Sequence, residues 1–124
     1  QDRYYTKAHE WIKVEGETAH VGITEHAQEE LGDITFIEMP EVDEQYEEGA
    51  DCAEIESVKA ASDIYMPVAG TIAAINEELE DSPEKVNEDP YKQGWLFQVK
   101  DFDAEKLKQL MDAEAYSKFL EDSQ

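Results

Sequence analysis

The chain has 124 residues, with 10 Lys plus Arg against 32 Asp plus Glu, which gives a formal net charge of -22. Such acidity disfavours nucleic acid and anionic membrane surfaces and favours basic protein partners, although it can also serve only to keep a surface hydrated. The length fits a single domain over residues 1–124. No apolar run approaches the roughly 20 residues that cross a bilayer, and no signal region is recognisable at the start, so we expect no membrane association.

Cysteine-based catalysis is disfavoured by the composition. Cys52 is the only cysteine, so the chain forms no intramolecular disulfide and suits a reducing compartment. The nearby carboxylates of Asp51, Glu54 and Glu56 should raise the pKa of its thiol, whereas a nucleophilic cysteine needs a neighbouring base or cation. We therefore predict a buried structural thiol at this position.

The first third of the chain predicts a hairpin followed by a short helix. Residues 11–14 and 18–23 alternate apolar and polar side chains around a glycine-containing turn, which is typical of two antiparallel strands. Ala19, Val21 and Ile23 should face inward together. Thr24 can cap a helix and Gly32 can end it, so we expect a helix between them.

The rest of the chain is predicted to be mostly strand. Apolar and β-branched residues mark further strands at 34–37, 52–57, 63–66, 71–75 and 95–99. Ser82 before Pro83 predicts one helical turn over residues 83–86. Two terminal helices are expected, the first over residues 104–111 and the second capped by Asp112. The pattern is typical of a small β-sandwich decorated with short helices.

One lysine is isolated between two predicted strands. Lys59 is the only Lys or Arg between Lys13 and Lys85, in a tract where acidic residues are spread throughout. Its small neighbours predict the tip of a hairpin, from which the amine could enter the active site of an enzyme that attaches a cofactor. Spacing alone favours an ordinary surface lysine paired loosely with Glu56 or Asp63, because such exposed pairs are common, but it leaves both alternatives open.

The segment Glu56-Ser57-Val58-Lys59-Ala60 resembles the lipoylation motif of glycine cleavage H-proteins. Further segments resemble the same family in the same order along nearly the whole chain: 9–11, 21–28, 31–33, 40–42, 62–65, 80–83, 86–87, 90–91, 94–95 and 112–116. Order and spacing together make this resemblance far more specific than a lysine motif alone.

The resemblance implies both a fold and a role. The fold would be mainly β, a barrel-sandwich hybrid like that of lipoyl and biotinyl domains, with short flanking helices and C-terminal helices. The cofactor would be lipoate, covalently attached to Lys59. The chain would shuttle an aminomethyl group from glycine decarboxylase (P-protein) to aminomethyltransferase (T-protein) and be reoxidised by dihydrolipoyl dehydrogenase (L-protein), while catalysing nothing itself.

The resemblance also implies roles for three acidic residues. Glu56 matches the acidic position that the lipoate-attaching enzyme reads. Glu10 and Asp63 match acidic residues that line the family's cleft for the arm, where carboxylates would hold the ammonium group of the loaded arm. Solvated surface charge is the alternative for both.

Other functions fit less well. A biotinyl domain usually has methionine on both sides of its lysine, where this chain has Val58 and Ala60, and a lipoyl domain of a 2-oxoacid dehydrogenase lacks the terminal helices. An enzyme that uses Glu10 with a histidine would need cleft motifs that are missing. A lipoyl donor that serves other acceptors and an acidic interaction module remain alternatives.

Three expectations concern the state of the protein. No metal site is expected, because the spacing of His9, His20 and His26 matches no zinc pattern. We expect a monomer. The default location is the bacterial cytoplasm, with the mitochondrial matrix as the alternative.

Overall fold

The computed structural model describes residues 3–6, 9–89, 94–107 and 110–122. In these ranges the chain forms, in order, β1 (Arg3–Tyr5), β2 (Glu10–Glu15), β3 (Thr18–Ile23), α1 (Glu25–Leu31), β4 (Ile34–Glu38), β5 (Gln45–Tyr46), β6 (Asp51–Ser57), β7 (Ala61–Tyr65), β8 (Gly70–Ile75), α2 (Glu78–Asp81), α3 (Lys85–Glu88), β9 (Phe97–Lys100), α4 (Ala104–Leu107) and α5 (Ala113–Asp122). No helix within those ranges has the length and apolarity to span a membrane.

Two antiparallel sheets enclose the hydrophobic core. One has six strands in the order β1-β2-β3-β9-β8-β5, and the other has three strands in the order β4-β6-β7. Alternate side chains of both sheets are buried in one cluster, which includes Ile12, Val21, Ile72 and Phe97 from the larger sheet and Ile37, Ile55 and Ile64 from the smaller one. The mainly-β prediction is confirmed, because each sheet buries one face against the other.

The predicted first hairpin is confirmed as β2 and β3. Ala19, Val21 and Ile23 are buried together, as expected from the alternation of side chains along a strand. Trp11 pairs with Gly22 across the hairpin, and a Cβ atom on Gly22 would lie 2.7 Å from the Trp11 ring. The glycine therefore leaves the space that the indole occupies.

The predicted helix between Thr24 and Gly32 is confirmed as α1. The Thr24 hydroxyl accepts a hydrogen bond from the Ala27 N–H at 3.2 Å, which satisfies one of the free donors of the first turn. Gly32 ends the helix with a φ of +82°, a left-handed conformation that favours glycine, and its N–H donates to the Gln28 carbonyl at 2.9 Å.

The helical turn predicted over residues 83–86 is confirmed only in part, because the Val86 N–H donates to the Pro83 carbonyl at 3.1 Å but the regular helix lies further along the chain. Residues 78–81 already form a helix, α2, that buries Leu79, and Ser82 lies at its C-terminal end. The next helix, α3, begins two residues later than predicted, at Lys85, without a side-chain cap. Ser82 therefore ends one helix instead of starting another.

The terminal helices agree with the prediction only in part. The first, α4, is a single turn that ends at Leu107, and Met111 instead forms a β-bridge with Tyr5. Residues 108–109 of that prediction lie outside the described residues. The second helix, α5, is confirmed, and the carboxylate of Asp112 accepts a hydrogen bond from the Ala115 N–H at 2.8 Å.

Candidate functional site

Lys59 lies at the tip of the β6–β7 hairpin, as predicted, and is exposed to solvent. The turn is held by Ser57, whose N–H donates to the Ala60 carbonyl at 2.8 Å. The Ser57 hydroxyl oxygen accepts a hydrogen bond from the Ala60 N–H at 3.1 Å and donates one to the Ala60 carbonyl at 3.0 Å. The tip therefore has a defined backbone conformation even though its side chains face water.

The hairpin tip contacts the loop that follows α1. The Val58 N–H donates to the Asp33 carbonyl at 3.1 Å. A Cβ atom built on Gly32 would lie 3.3 Å from Cε and 3.8 Å from Cδ of Lys59, so the aliphatic stem of the lysine lies directly over this glycine. Gly32 thus has two functions, because it ends α1 and leaves room for the Lys59 stem.

Asn87, from α3, fixes the loop under the lysine. Its amide oxygen accepts a hydrogen bond from the Ile34 N–H at 2.9 Å. Its amide nitrogen donates to the Gly32 carbonyl and to the Gln28 side-chain oxygen, both at 2.8 Å. The role of Asn87 could not be predicted from the sequence, because its partners lie more than 50 residues away along the chain and no local pattern indicates them.

The Lys59 ammonium has no ion-pair partner among the described residues. The ion pairs of that part of the chain join Lys13 to Glu15, His20 to Glu15, His26 to Glu30, Lys85 to Glu78 and Lys100 to Asp43. The alternative of a surface lysine paired with Glu56 or Asp63 is therefore not what the structure shows. An exposed amine on a stem that lies over a glycine fits the attachment of an acyl group, since attachment would displace no partner.

A row of carboxylates crosses the smaller sheet beside the hairpin. Glu38, Glu54 and Asp63 are paired in register on β4, β6 and β7. Desolvation and the nearby negative charges, Asp63 first among them, raise the pKa of the Glu54 carboxyl. All three residues line a cavity of about 340 Å³ together with Asp51 and Tyr46. Like charges directly opposite each other repel, so this row favours a cation beside it.

Glu10 does not line that cavity, unlike the prediction that grouped it with Asp63. Its side chain is 1% exposed, and its carboxylate accepts hydrogen bonds from the Tyr65 N–H at 2.8 Å and the Thr6 hydroxyl at 3.3 Å. Desolvation by burial raises the pKa of this carboxyl to about 7, although both hydrogen bonds oppose the shift. Glu10 therefore connects β2 of one sheet to the end of β7 in the other.

The thiol of Cys52 is buried, as predicted, and has a structural role. It donates a weak hydrogen bond to the Ile64 carbonyl at 3.4 Å. Burial raises its pKa to about 12, and the charges of Glu10 and Asp51 add to the shift. A thiol with that pKa has almost no thiolate at neutral pH, so it is not a nucleophile.

The histidines make packing contacts and hydrogen bonds. The Nδ1 atom of His9 lies 2.7 Å from the Tyr116 hydroxyl, which is also 2.8 Å from the Thr24 hydroxyl, so this network joins α5 to the first hairpin. Burial and the neighbouring His26 lower the pKa of His9. Within the described ranges, no group of three His, Cys, Asp or Glu side chains is arranged to hold a metal ion.

A small two-sheet β fold that presents one unpaired lysine on a hairpin tip defines a carrier domain of the lipoyl type. A family model for the glycine cleavage H-protein matches residues 3–123. A glycine cleavage system H protein of Klebsiella pneumoniae is 59% identical over 119 residues, which cover 95% of this chain and 92% of that protein. That of Thermus thermophilus is 53% identical over 121 residues, with 98% and 94% covered.

A solved structure agrees with these relatives. The crystal structure of a glycine cleavage system H protein from Mycobacterium marinum superposes with a TM-score of 0.84 at 38% identity and covers 94% of each chain. This chain belongs to the glycine cleavage H-protein family. Proteins of this family carry lipoate covalently on a lysine and are not catalysts, so the predicted barrel-sandwich fold, cofactor and carrier class are confirmed.

Replacing Asn87 should loosen the loop under the hairpin tip. Asn87→Ala removes three hydrogen bonds and leaves the Ile34 N–H unsatisfied, so we expect the free energy of unfolding to fall by about 1–3 kcal/mol. Hydrogen exchange at the Val58 amide should become faster, because its acceptor on Asp33 lies in the same loop. Gln45→Ala, at an exposed amide on β5, is the control. Unchanged exchange at Val58 in Asn87→Ala would contradict this dependence.

Burial of Glu10 should make stability depend on pH. Because the pKa of Glu10 is higher in the folded chain than in the unfolded one, folding binds a proton, and this contribution is complete below about pH 4.5 and lost as pH rises to about 7. Relative to Glu10→Gln, which cannot ionise, the wild type should lose about 3 kcal/mol across that window. Denaturant unfolding of both proteins at several pH values measures this difference, and parallel stability curves would contradict the raised pKa.

Proposed function

We propose that Lys59 is the residue that carries lipoate, and that the whole chain, residues 1–124, acts as one lipoyl-carrier domain. The observation that carries this proposal is the exposed Lys59 amine, free of ion pairs within the described residues, on a stem that lies over Gly32. Family membership requires a modified lysine, and Lys59 meets the geometric needs of one. Its amine can enter a partner's active site without breaking an existing contact.

The cofactor and the protein have separate roles in this arrangement. When attached, lipoate supplies a disulfide that accepts the aminomethyl group derived from glycine and carries it between enzymes. The protein determines where the lysine that carries the cofactor is presented. Ser57 fixes the turn, and the hydrogen bond from the Val58 N–H to the Asp33 carbonyl holds its backbone beside the end of α1, so the flexible part begins at the lysine side chain.

We further propose that Glu56 is a recognition residue for the lipoate-attaching enzymes. Glu56 is exposed on β6, three residues before Lys59 and opposite Ala61 of β7. Its carboxylate can therefore be read by a basic side chain on the enzyme that receives the hairpin tip.

Asp63 is the carboxylate that we propose for holding the loaded arm. It is exposed on β7, and the row that it forms with Glu38 and Glu54 repels itself in the absence of a cation. An ammonium group beside this row would relieve that repulsion. Glu10 acts indirectly in this proposal, because its bond to the Tyr65 N–H fixes the strand that carries Asp63.

The partners follow from the same role. We propose that glycine decarboxylase, aminomethyltransferase and dihydrolipoyl dehydrogenase receive the arm in turn, in a cytoplasmic setting and with this protein as a monomer. The net charge of -22 supports basic docking surfaces on these enzymes.

Lys59→Arg tests the attachment site. Arginine keeps the positive charge and the approximate length of lysine, but its guanidinium stays protonated and cannot form the amide. In a mixture of the purified glycine cleavage enzymes, glycine turnover should fall to the level seen without the carrier. Lys13→Arg, on β2 and paired with Glu15, is the matched control and should turn over normally. Turnover by Lys59→Arg equal to that of the control would exclude Lys59 as the attachment site.

A further inference from the structure

A second concave surface lies along β4 and the segment that follows it. This surface, the β4 groove, has a volume of about 630 Å³. Its apolar wall includes Phe36, Val42 and Ile75, and its acidic rim is formed by Glu38, Glu41 and Glu80. Glu38 and Glu41 also line the cavity beside Asp63, so the two concave surfaces adjoin, whereas Phe36, Val42, Ile75 and Glu80 belong to the groove alone.

The apolar side chains of the groove are unusually exposed. Phe36 is 51% exposed and Val42 is 47% exposed, and they are two of the four large apolar side chains that are exposed in the described ranges. Phe36 and Val42 line the same groove and so form an apolar patch with an acidic rim, and such patches often mark interaction sites. An aromatic centre surrounded by polar groups is also the usual composition of a protein interface.

The rim charges indicate the chemistry of the partner. None of the ion pairs in the described residues includes Glu38, Glu41 or Glu80. Lys85, five residues after Glu80, lies 3.2 Å from Glu78, and Lys100 lies 3.5 Å from Asp43, which is next to Val42 in sequence. The rim is therefore negative and uncompensated, which suits Lys or Arg on a partner. A second copy of this chain would bring an equally acidic rim against it and be repelled.

The groove lies next to the lysine hairpin. Phe36 on β4 is paired in register with Glu56 on β6, three residues before Lys59. A protein that covers Phe36 would therefore contact the same sheet that presents the lysine, and would be held close to Lys59.

From this position we propose that the β4 groove docks an enzyme that acts on the arm, through an apolar side chain flanked by Lys or Arg. The inference rests on the proposed function of Lys59. The contact holds the enzyme close to the arm and adds nothing to the chemistry at the cofactor. It should therefore affect the apparent affinity for the carrier and leave the maximal rate unchanged.

Two variants test the groove, one for each of its features. Phe36→Ser removes the aromatic centre, and Glu80→Lys reverses a rim charge that does not line the cavity beside Asp63. Glu17→Lys, in the exposed turn between β2 and β3, makes the same charge change away from the groove and is the control. Each lipoylated protein is assayed separately with glycine decarboxylase, aminomethyltransferase and dihydrolipoyl dehydrogenase, and lipoate ligase is assayed with the unmodified forms. Thermal unfolding checks that all variants fold.

We expect both groove variants to raise KM for the carrier by about fivefold or more with at least one enzyme, at unchanged kcat. Added salt should reduce the effect of Glu80→Lys, because rim charges are screened. KM values within about twofold of wild type for every enzyme would overturn the proposal. So would a dimer of the wild type in sedimentation that Phe36→Ser dissociates, since the groove would then bind a second copy.

The design separates this inference from the proposed function. Mass analysis of the lipoylated wild type before the assays shows whether Lys59 carries the acyl group. A lipoyl group on another residue would refute the attachment site and with it the basis of the groove proposal. A lipoyl group on Lys59 combined with unchanged KM values would refute the groove alone.

Discussion

The contact between the β6–β7 hairpin tip and the loop after α1 is the interaction on which the site depends. The Val58 N–H bonds to the Asp33 carbonyl, and Gly32 leaves the space over which the Lys59 stem lies. A carrier must expose its reactive lysine and still present it at a reproducible position. This contact meets both needs, because it holds the backbone and the base of the side chain while the amine remains in water.

The acidic surface of the smaller sheet has two adjoining parts that share Glu38 and Glu41. The row that includes Glu54 and Asp63 concentrates negative charge where a small cation can approach. The rim of the β4 groove combines negative charge with the exposed ring of Phe36, which suits a protein surface. If the high net charge served only to keep the chain hydrated, neither the carboxylate row nor the groove rim would be needed. Hydration of the surface is still one effect of the charge.

Local signals made much of the fold predictable, and long-range contacts explain what was missed. The Thr24 cap, the Gly32 helix end and the alternation in β2 and β3 can be predicted from residues that are adjacent in sequence. The role of Asn87 depends on partners from α1 and β4 that only the fold brings near. The burial of Glu10 depends likewise on the end of β7. Ser82 shows that a cap signal can fail when the preceding residues are already helical.

The candidate site, like the fold, could be predicted from local sequence signals only in part. The hairpin tip could be predicted because small residues separate two strands, and the family resemblance selected Lys59 from alternatives that spacing left open.

The most direct test of the central claim is peptide mass spectrometry of the protein purified from its native cell. A lipoyl increment on the peptide that contains Lys59 is the predicted result. An unmodified Lys59 in cells that lipoylate their other carrier proteins would contradict the account.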